Sequence, residues 1–381
     1  VAGATLPILA ALIDKSLLRK SEVQGSTRYE LHELIRQYVA ERLRLNLADA
    51  AQTAQRHGEY YCTWVAEQSV AIGDQRQAAT INELRGEIDN LRLAWDWAVQ
   101  ARRGDLLYPI GRAMWIFFEL QNYYQEGEER FGRAAQMAQS LAKHTEVERK
   151  ANDLLLGRMT THQAYFVARQ VRLRAALTLL APALALLRQY DDHHTLSQAL
   201  WTHGRASWMH GDFAEALANF REGLILATQL QFPNLLALYH TFLGAVLYDV
   251  GEYTTSYEHL QQALRFARQL AEPRSTALSI SYLHYTALAL ARSEEVRALL
   301  SEGLHMARAA NDWYCVALAL EQQALAQWAQ DDVASANQLF VESHALFQKI
   351  GDLAGQSRLH AHLGQLALQT TNLAEAQQQL G

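Results

Sequence analysis

The sequence predicts an all-α protein, an α-solenoid of antiparallel helix pairs with about 40 residues per pair, preceded by part of a winged helix. Three observations predict it. Five prolines and 20 glycines in 381 residues are too few for a β-rich chain, which needs turn residues every ~8–12 positions. Half of the residues are apolar and 19% are charged, enough to bury a large core and too little charge for general disorder. Large and small residues also recur in register at a fixed step of 40 along the second half of the chain.

Residues 1–48 form a unit of their own. Leu9, Leu12, Ile13, Leu17 and Leu18 predict an amphipathic helix and its exit. Ser21–Ser26 is polar, with a turn expected at Gly25, and the alternation in Arg28-Tyr29-Glu30-Leu31 predicts a short strand. His32–Leu43 predicts a second helix, with Leu34, Ile35, Tyr38, Val39 and Leu43 along one stripe. Helix, wing and helix in that order suggest the second half of a winged helix.

Residues 49–105 read as a helical linker, and 106–150 as a divergent first helix pair with Trp115, Gly127, Phe131 and Ala134 near the repeat columns. The charged stretch Lys143–Lys150 is the expected connector, and 151–381 is the regular array. Stepping by 40 from Gly211 gives Gly251, Ala291, Asp331 and Thr371. Five places later stand Ala216, Ser256, Val296, Ala336 and Ala376; nine places later, Phe220, Leu260, Leu300, Phe340 and Leu380. Sixteen places later come Ala227, Ala267, Ala307 and Phe347, and seven places earlier Gly204, Gly244, His284, Ala324 and Gly364. Small residues let two helix axes approach, and large ones fill the neighbour's groove. Gly211-Asp212 and Gly251-Glu252 supply turns, with the acid favouring the next helix's N-terminus. Pro233 and Pro273 mark where a second helix stops and a new unit begins.

These columns resemble the tetratricopeptide repeat (TPR), most closely at Gly211-Asp212-Phe213-Ala214-Glu215-Ala216 and Thr371-Asn372-Leu373-Ala374-Glu375-Ala376. The common repeat has 34 residues, so 40 implies roughly one to two further helical turns per pair. The N-terminal stretches Leu12-Ile13-Asp14-Lys15-Ser16-Leu17-Leu18 and Tyr29-Glu30-Leu31-His32-Glu33-Leu34-Ile35-Arg36-Gln37-Tyr38 resemble the end of the nucleotide-binding core of STAND ATPases of the NB-ARC type. Leu31-His32-Glu33 occupies the family's Met-His-Asp-like motif, with departures at both flanks; the resemblance implies that His32 senses the ADP phosphate in the intact protein. Arg56-His57-Gly58-Glu59-Tyr60-Tyr61 and the block Glu83–Trp95 resemble the segment joining core to TPR array in bacterial STAND regulators. In TPR arrays the first helix of each pair lines a ligand groove. The family's positions place Arg158, Tyr165, Trp201, Arg205, Trp208, Tyr248, Tyr285, Glu321 and Trp328 there, a set suited to a protein, peptide or small-molecule effector.

Several function classes are disfavoured. A formal charge of −6 gives no broad basic field, and residues 1–48 carry seven Lys/Arg against five Asp/Glu, so direct nucleic-acid binding is not expected. No Gly-Lys pair occurs, so the fragment lacks a phosphate-binding loop and is not expected to be an enzyme alone. ADP or ATP with Mg, and self-association on activation, are implied for the intact protein, whose nucleotide-binding part is expected upstream of Val1. His32-Glu33-Leu34-Ile35-Arg36 starts like a zinc-protease helix but ends in a residue that cannot ligate metal. His360 and His362 stand two apart and face different ways, so no metal site is expected. Cys62 and Cys315 lie in no motif, which fits a reducing cytoplasm, and no apolar run approaches the roughly 18–20 residues of a membrane span. The alternative is a TPR scaffold for protein partners with no switch. The number of repeats after Gly381 is open.

Overall fold

The computed structural model describes residues 5–23, 26–69, 77–142, 144–270 and 272–369. Within them lie eighteen helices and one two-stranded sheet, the all-helical architecture expected. Contacts divide the chain into two compact units, Val1–Thr195 and Leu196–Gly381.

The first unit opens with α1 (Leu6–Asp14), a hairpin of β1 (Leu18–Val23) and β2 (Ser26–Leu31), and α2 (Glu33–Leu45). The strands are antiparallel, with Leu18 opposite Leu31 and Lys20 opposite Tyr29. The sequence announced only the second strand; Leu18, assigned to a helix exit, begins the first. Arg19 and Lys20 are both exposed, so the start of β1 lacks the buried alternation by which strands are recognised. Gly25 lies outside the described residues. No residue of α1 or α2 is buried.

Seven helices and the start of an eighth complete the described part of this unit: α3 (Leu47–Gln68), α4 (Gln77–Gly86), α5 (Ile88–Gln100), α6 (Gly104–Leu120), α7 (Tyr124–Gln139), α8 (Glu146–Arg169) and α9 (Leu173–Leu187), then the first residues of α10 (His193–His210). Its core is aromatic. Trp95, 1% exposed, meets Phe131 edge-on at 5.0 Å, and Phe131 stacks on Phe166 at 5.9 Å. Most of the charged stretch read as a connector belongs instead to α8, because Thr145 and Glu148 form a reciprocal capping box that starts the helix at Glu146.

The second unit continues α10 with α11 (Phe213–Leu230), α12 (Pro233–Asp249), α13 (Tyr253–Gln269), α14 (Pro273–Ala289), α15 (Ser293–Ala309), α16 (Trp313–Trp328), α17 (Val333–Ile350) and α18 (Leu353–Gln369). Pro233 and Pro273 each open a first helix, where the missing N–H costs nothing. The repeat columns are the core: Ala216, Phe220, Ala227, Leu260, Ala267, Ala307, Ala336, Phe340 and Phe347 are all 0% exposed. The motif Thr371–Ala376 and Leu380 lie outside the described residues.

The turn column has a backbone cause. Val171, Gly211, Gly251, Ala291 and Asp331, each 40 apart, have φ of +61°, +89°, +86°, +54° and +62°. The close return between paired helices demands the left-handed region, which side chains with a Cβ enter at about 1–2 kcal/mol. Val171 is 66% exposed, so no burial offsets its strain. Val171→Gly is expected to stabilise the protein by about 1 kcal/mol, read as a higher urea midpoint; a lower midpoint would contradict the turn geometry.

Candidate functional site

In the second unit, side chains one repeat apart join the first helices of successive pairs. Thr241 on α12 lies 3.1 Å from Ser279 on α14, and His284 on α14 lies 3.0 Å from Gln322 on α16. Six of the sequence-predicted groove residues stand on this first-helix face. Trp201, Arg205 and Trp208 follow one stripe of α10 and are partly exposed. The Arg205 guanidinium lies 5.7 Å from the Trp201 ring centroid, and Trp201 meets Phe242 edge-on at 5.6 Å. Trp208 donates its Nε1–H to Asp249 at 2.6 Å. Tyr248 lies 5.9 Å from Tyr285, and Trp328 donates Nε1–H to Gln369 at 2.6 Å.

Glu321 is different: it is 0% exposed. Arg358 on α18 donates Nε–H to its Oε1 at 2.7 Å and Nη2–H to its Oε2 at 2.8 Å, and His362 Nε2 stands 3.3 Å away. Burial pushes the Glu321 carboxyl up, but the bonds from Arg358 and His362 more than reverse this and hold it below its ordinary value. Tyr282, Tyr285 and Tyr314 gather beside the pair, their phenols raised chiefly by desolvation. The Arg358 charge reaches Tyr248 and Asp249 as well. Arg358, Tyr282, Tyr314 and Asp249 are therefore site residues the sequence reading did not name. The one available signal was Glu321 itself, the lone charged residue between Trp313 and Trp328, which demands a cationic partner once buried.

Two predicted groove residues belong to the first unit and are packed. Tyr165 is 5% exposed and meets Trp115 edge-on at 5.1 Å. Arg158 donates to Thr195 Oγ1 at 3.0 Å, to the Tyr108 carbonyl at 2.9 Å and to Asp192 at 3.0 Å, and lies 3.7 Å over the Tyr108 ring. His32 is the N-cap of α2, its Nδ1 accepting the Leu34 N–H at 3.4 Å. It is exposed, which leaves Nε2 able to donate to a phosphate oxygen.

Other features bear on the site by contrast. A cavity of about 500 Å³ lies away from the first-helix face, against α13, α14 and α15, with Tyr257, Gln261, Arg265, Arg268 and Leu299 in its wall. Its Arg268 is already paired with Glu302 at 2.5 Å. His360 meets His344 at 3.1 Å while His362 turns to Glu321, so the two diverge. Among the described residues no group of three or more His, Cys, Asp or Glu could hold a metal, and no helix is long and apolar enough to cross a membrane.

No protein-family model matches the chain. A provisionally named HTH-type transcriptional regulator of Mycobacterium tuberculosis is 27% identical over 248 residues, covering 55% of this chain and 27% of that protein. The match thus spans little more than a quarter of the relative's length. Among solved structures, a STAND protein with a tetratricopeptide-repeat sensor from Pyrococcus horikoshii superposes with a TM-score of 0.59 at 14% identity, covering 98% of this chain and 51% of that one. The Rap conjugation gene regulator of plasmid pLS20, in complex with the Phr* peptide, superposes with a TM-score of 0.56 at 12% identity, over 87% of this chain and 93% of that one. At such identities the likeness establishes the fold: a TPR-like helical solenoid.

Proposed function

We propose that this chain is the sensor arm of a STAND-type regulator, which captures a peptide, protein or small-molecule effector on the first-helix face of its second unit. The observation carrying this reading is the stripe Trp201, Arg205 and Trp208: three large side chains of one helix, still partly open to solvent after packing. Flat rings give contact area at low entropic cost, and a guanidinium recognises carboxylates. The likeness to a solenoid solved with a bound peptide supports a peptide among the effector classes.

In this reading the fragment is no enzyme alone; the intact protein binds ADP or ATP with Mg through a part not present in this chain. His32 contributes one imidazole to a phosphate there, and release of the resting state permits self-association and a transcriptional or defence output. The effector acts only by binding the open state better than the closed one. A ligand found by thermal-shift screening of peptides and metabolites is expected to bind the double variant Trp201→Ala, Trp208→Ala at least tenfold more weakly. Far-UV circular dichroism should be unchanged. Equal affinity would reject this face as the site.

A further inference from the structure

We propose that the first unit carries a second ligand site, specific for a carboxylate and centred on Arg112, on the facing stripes of α6 and α8. On α6 the residues Tyr108, Arg112, Trp115 and Glu119 lie along one face; on α8 their counterparts are Arg158, His162, Tyr165 and Arg169, each 50 residues later. The helices approach closely, since a Cβ on Gly111 would sit 2.8 Å from Met159 Cε and 3.4 Å from Arg158 Cδ.

Three of the four rungs are complementary. Arg158 Nη2 donates to Tyr108 Oη at 3.0 Å, Trp115 and Tyr165 pack edge-on at 5.1 Å, and Arg169 Nε meets Glu119 at 3.4 Å. The remaining rung sets the cation of Arg112 opposite an imidazole. Arg112 has no ion pair among the described residues, its Nε–H is shielded from water with no acceptor, and the Trp115 Nε1–H, one turn along the same face, is shielded and unpartnered too. Each such buried donor costs roughly 1–3 kcal/mol until it finds an acceptor. Desolvation, and then the Arg158 charge, push the Arg112 pKa down, and among the described residues no carboxylate counters them.

The charge balance selects the ligand. Arg158 is matched by Asp192 at 3.0 Å. His162 and His194 are both lowered, first by burial and then by the two arginines, and so stay neutral. Among the described residues one positive charge is left over, which fits a singly charged carboxylate with two acceptor oxygens better than a phosphate dianion. Trp115 stacks on His162 at 5.6 Å yet stays partly open to solvent, and its ring suits an acid with a flat apolar body.

The test uses the whole chain at pH 7.5 and constant ionic strength, with benzoate, acetate and inorganic phosphate as probes, by calorimetric titration and thermal shift. Benzoate is expected to bind and raise Tm by a few degrees, with acetate weaker. Arg112→Met should weaken benzoate at least tenfold while raising the Tm of the ligand-free protein, because an unpaired half-buried charge is removed. The Trp201→Ala, Trp208→Ala variant should keep the benzoate response, so this site and the effector face fail separately. Equal benzoate affinity in Arg112→Met, or a lowered ligand-free Tm there, would overturn the site. Phosphate binding as tight as benzoate would overturn its preference for a carboxylate.

Discussion

Glu321→Ala is expected to destabilise the protein by about 3 kcal/mol at pH 7. The carboxylate lies at 0% exposure with both oxygens engaged by Arg358. Removing it strands a guanidinium among the phenols of Tyr285 and Tyr314, which cannot carry the compensating charge. Breaking a buried pair by removing one partner costs about 3–5 kcal/mol, and the lower end applies because the Arg358 side chain keeps 36% of its exposure. Glu321→Gln, which keeps the shape and one acceptor, should lose roughly half as much. The pH dependence has a definite sign. Because the folded carboxyl titrates below its ordinary value of 4.5, its contribution is complete above that value and is lost as pH falls through the folded pKa. Urea midpoints of wild type and variant should therefore differ at pH 7 and converge in acid. Equal midpoints at pH 7 would show that the pair contributes nothing.

Gly223→Ala should cost about 2 kcal/mol or more despite alanine's better helix propensity. A Cβ there would lie 2.1 Å from Cε1 and Cζ of Tyr239. The ring cannot swing away: it is 0% exposed, and its hydroxyl donates to the Ser197 carbonyl at 2.5 Å. Alanine gains roughly 1 kcal/mol of helix propensity over glycine, while forcing a methyl into a filled core costs roughly 1–3 kcal/mol, and more where the neighbour is fixed. Tyr239→Leu in the same background should recover part of the loss, giving a measurable coupling energy in a double-mutant cycle. A Gly223→Ala protein as stable as wild type would mean that α11 and α12 are not so closely packed.

The helix pairs were legible because their cause is local and repeats: Ala216 and Phe220 announce a close approach and its filler, and the same pattern returns at 256 and 260. The turns at Gly211 and Gly251 were legible by glycine, whereas Val171, Ala291 and Asp331 adopt the same backbone sign without advertising it. Site geometry was harder. The partner of Glu321 stands 37 residues later, not 40, so the column spacing does not point to it. The stripes of α6 and α8 are offset by 50, so a search in steps of 40 passes over them. Strand β1 was not legible because Arg19 and Lys20, near its start, are exposed and charged.

Bonds that join first helices in the second unit, among them Tyr239 to Ser197, Trp208 to Asp249, His284 to Gln322 and Glu321 to Arg358, span 37 to 42 residues. Each therefore ties a helix pair only to the next one along. Stretched by its ends in an optical trap, this half of the molecule should yield in small successive extensions, like a roll of stamps torn along its perforations, with the Glu321 seam as the strongest perforation.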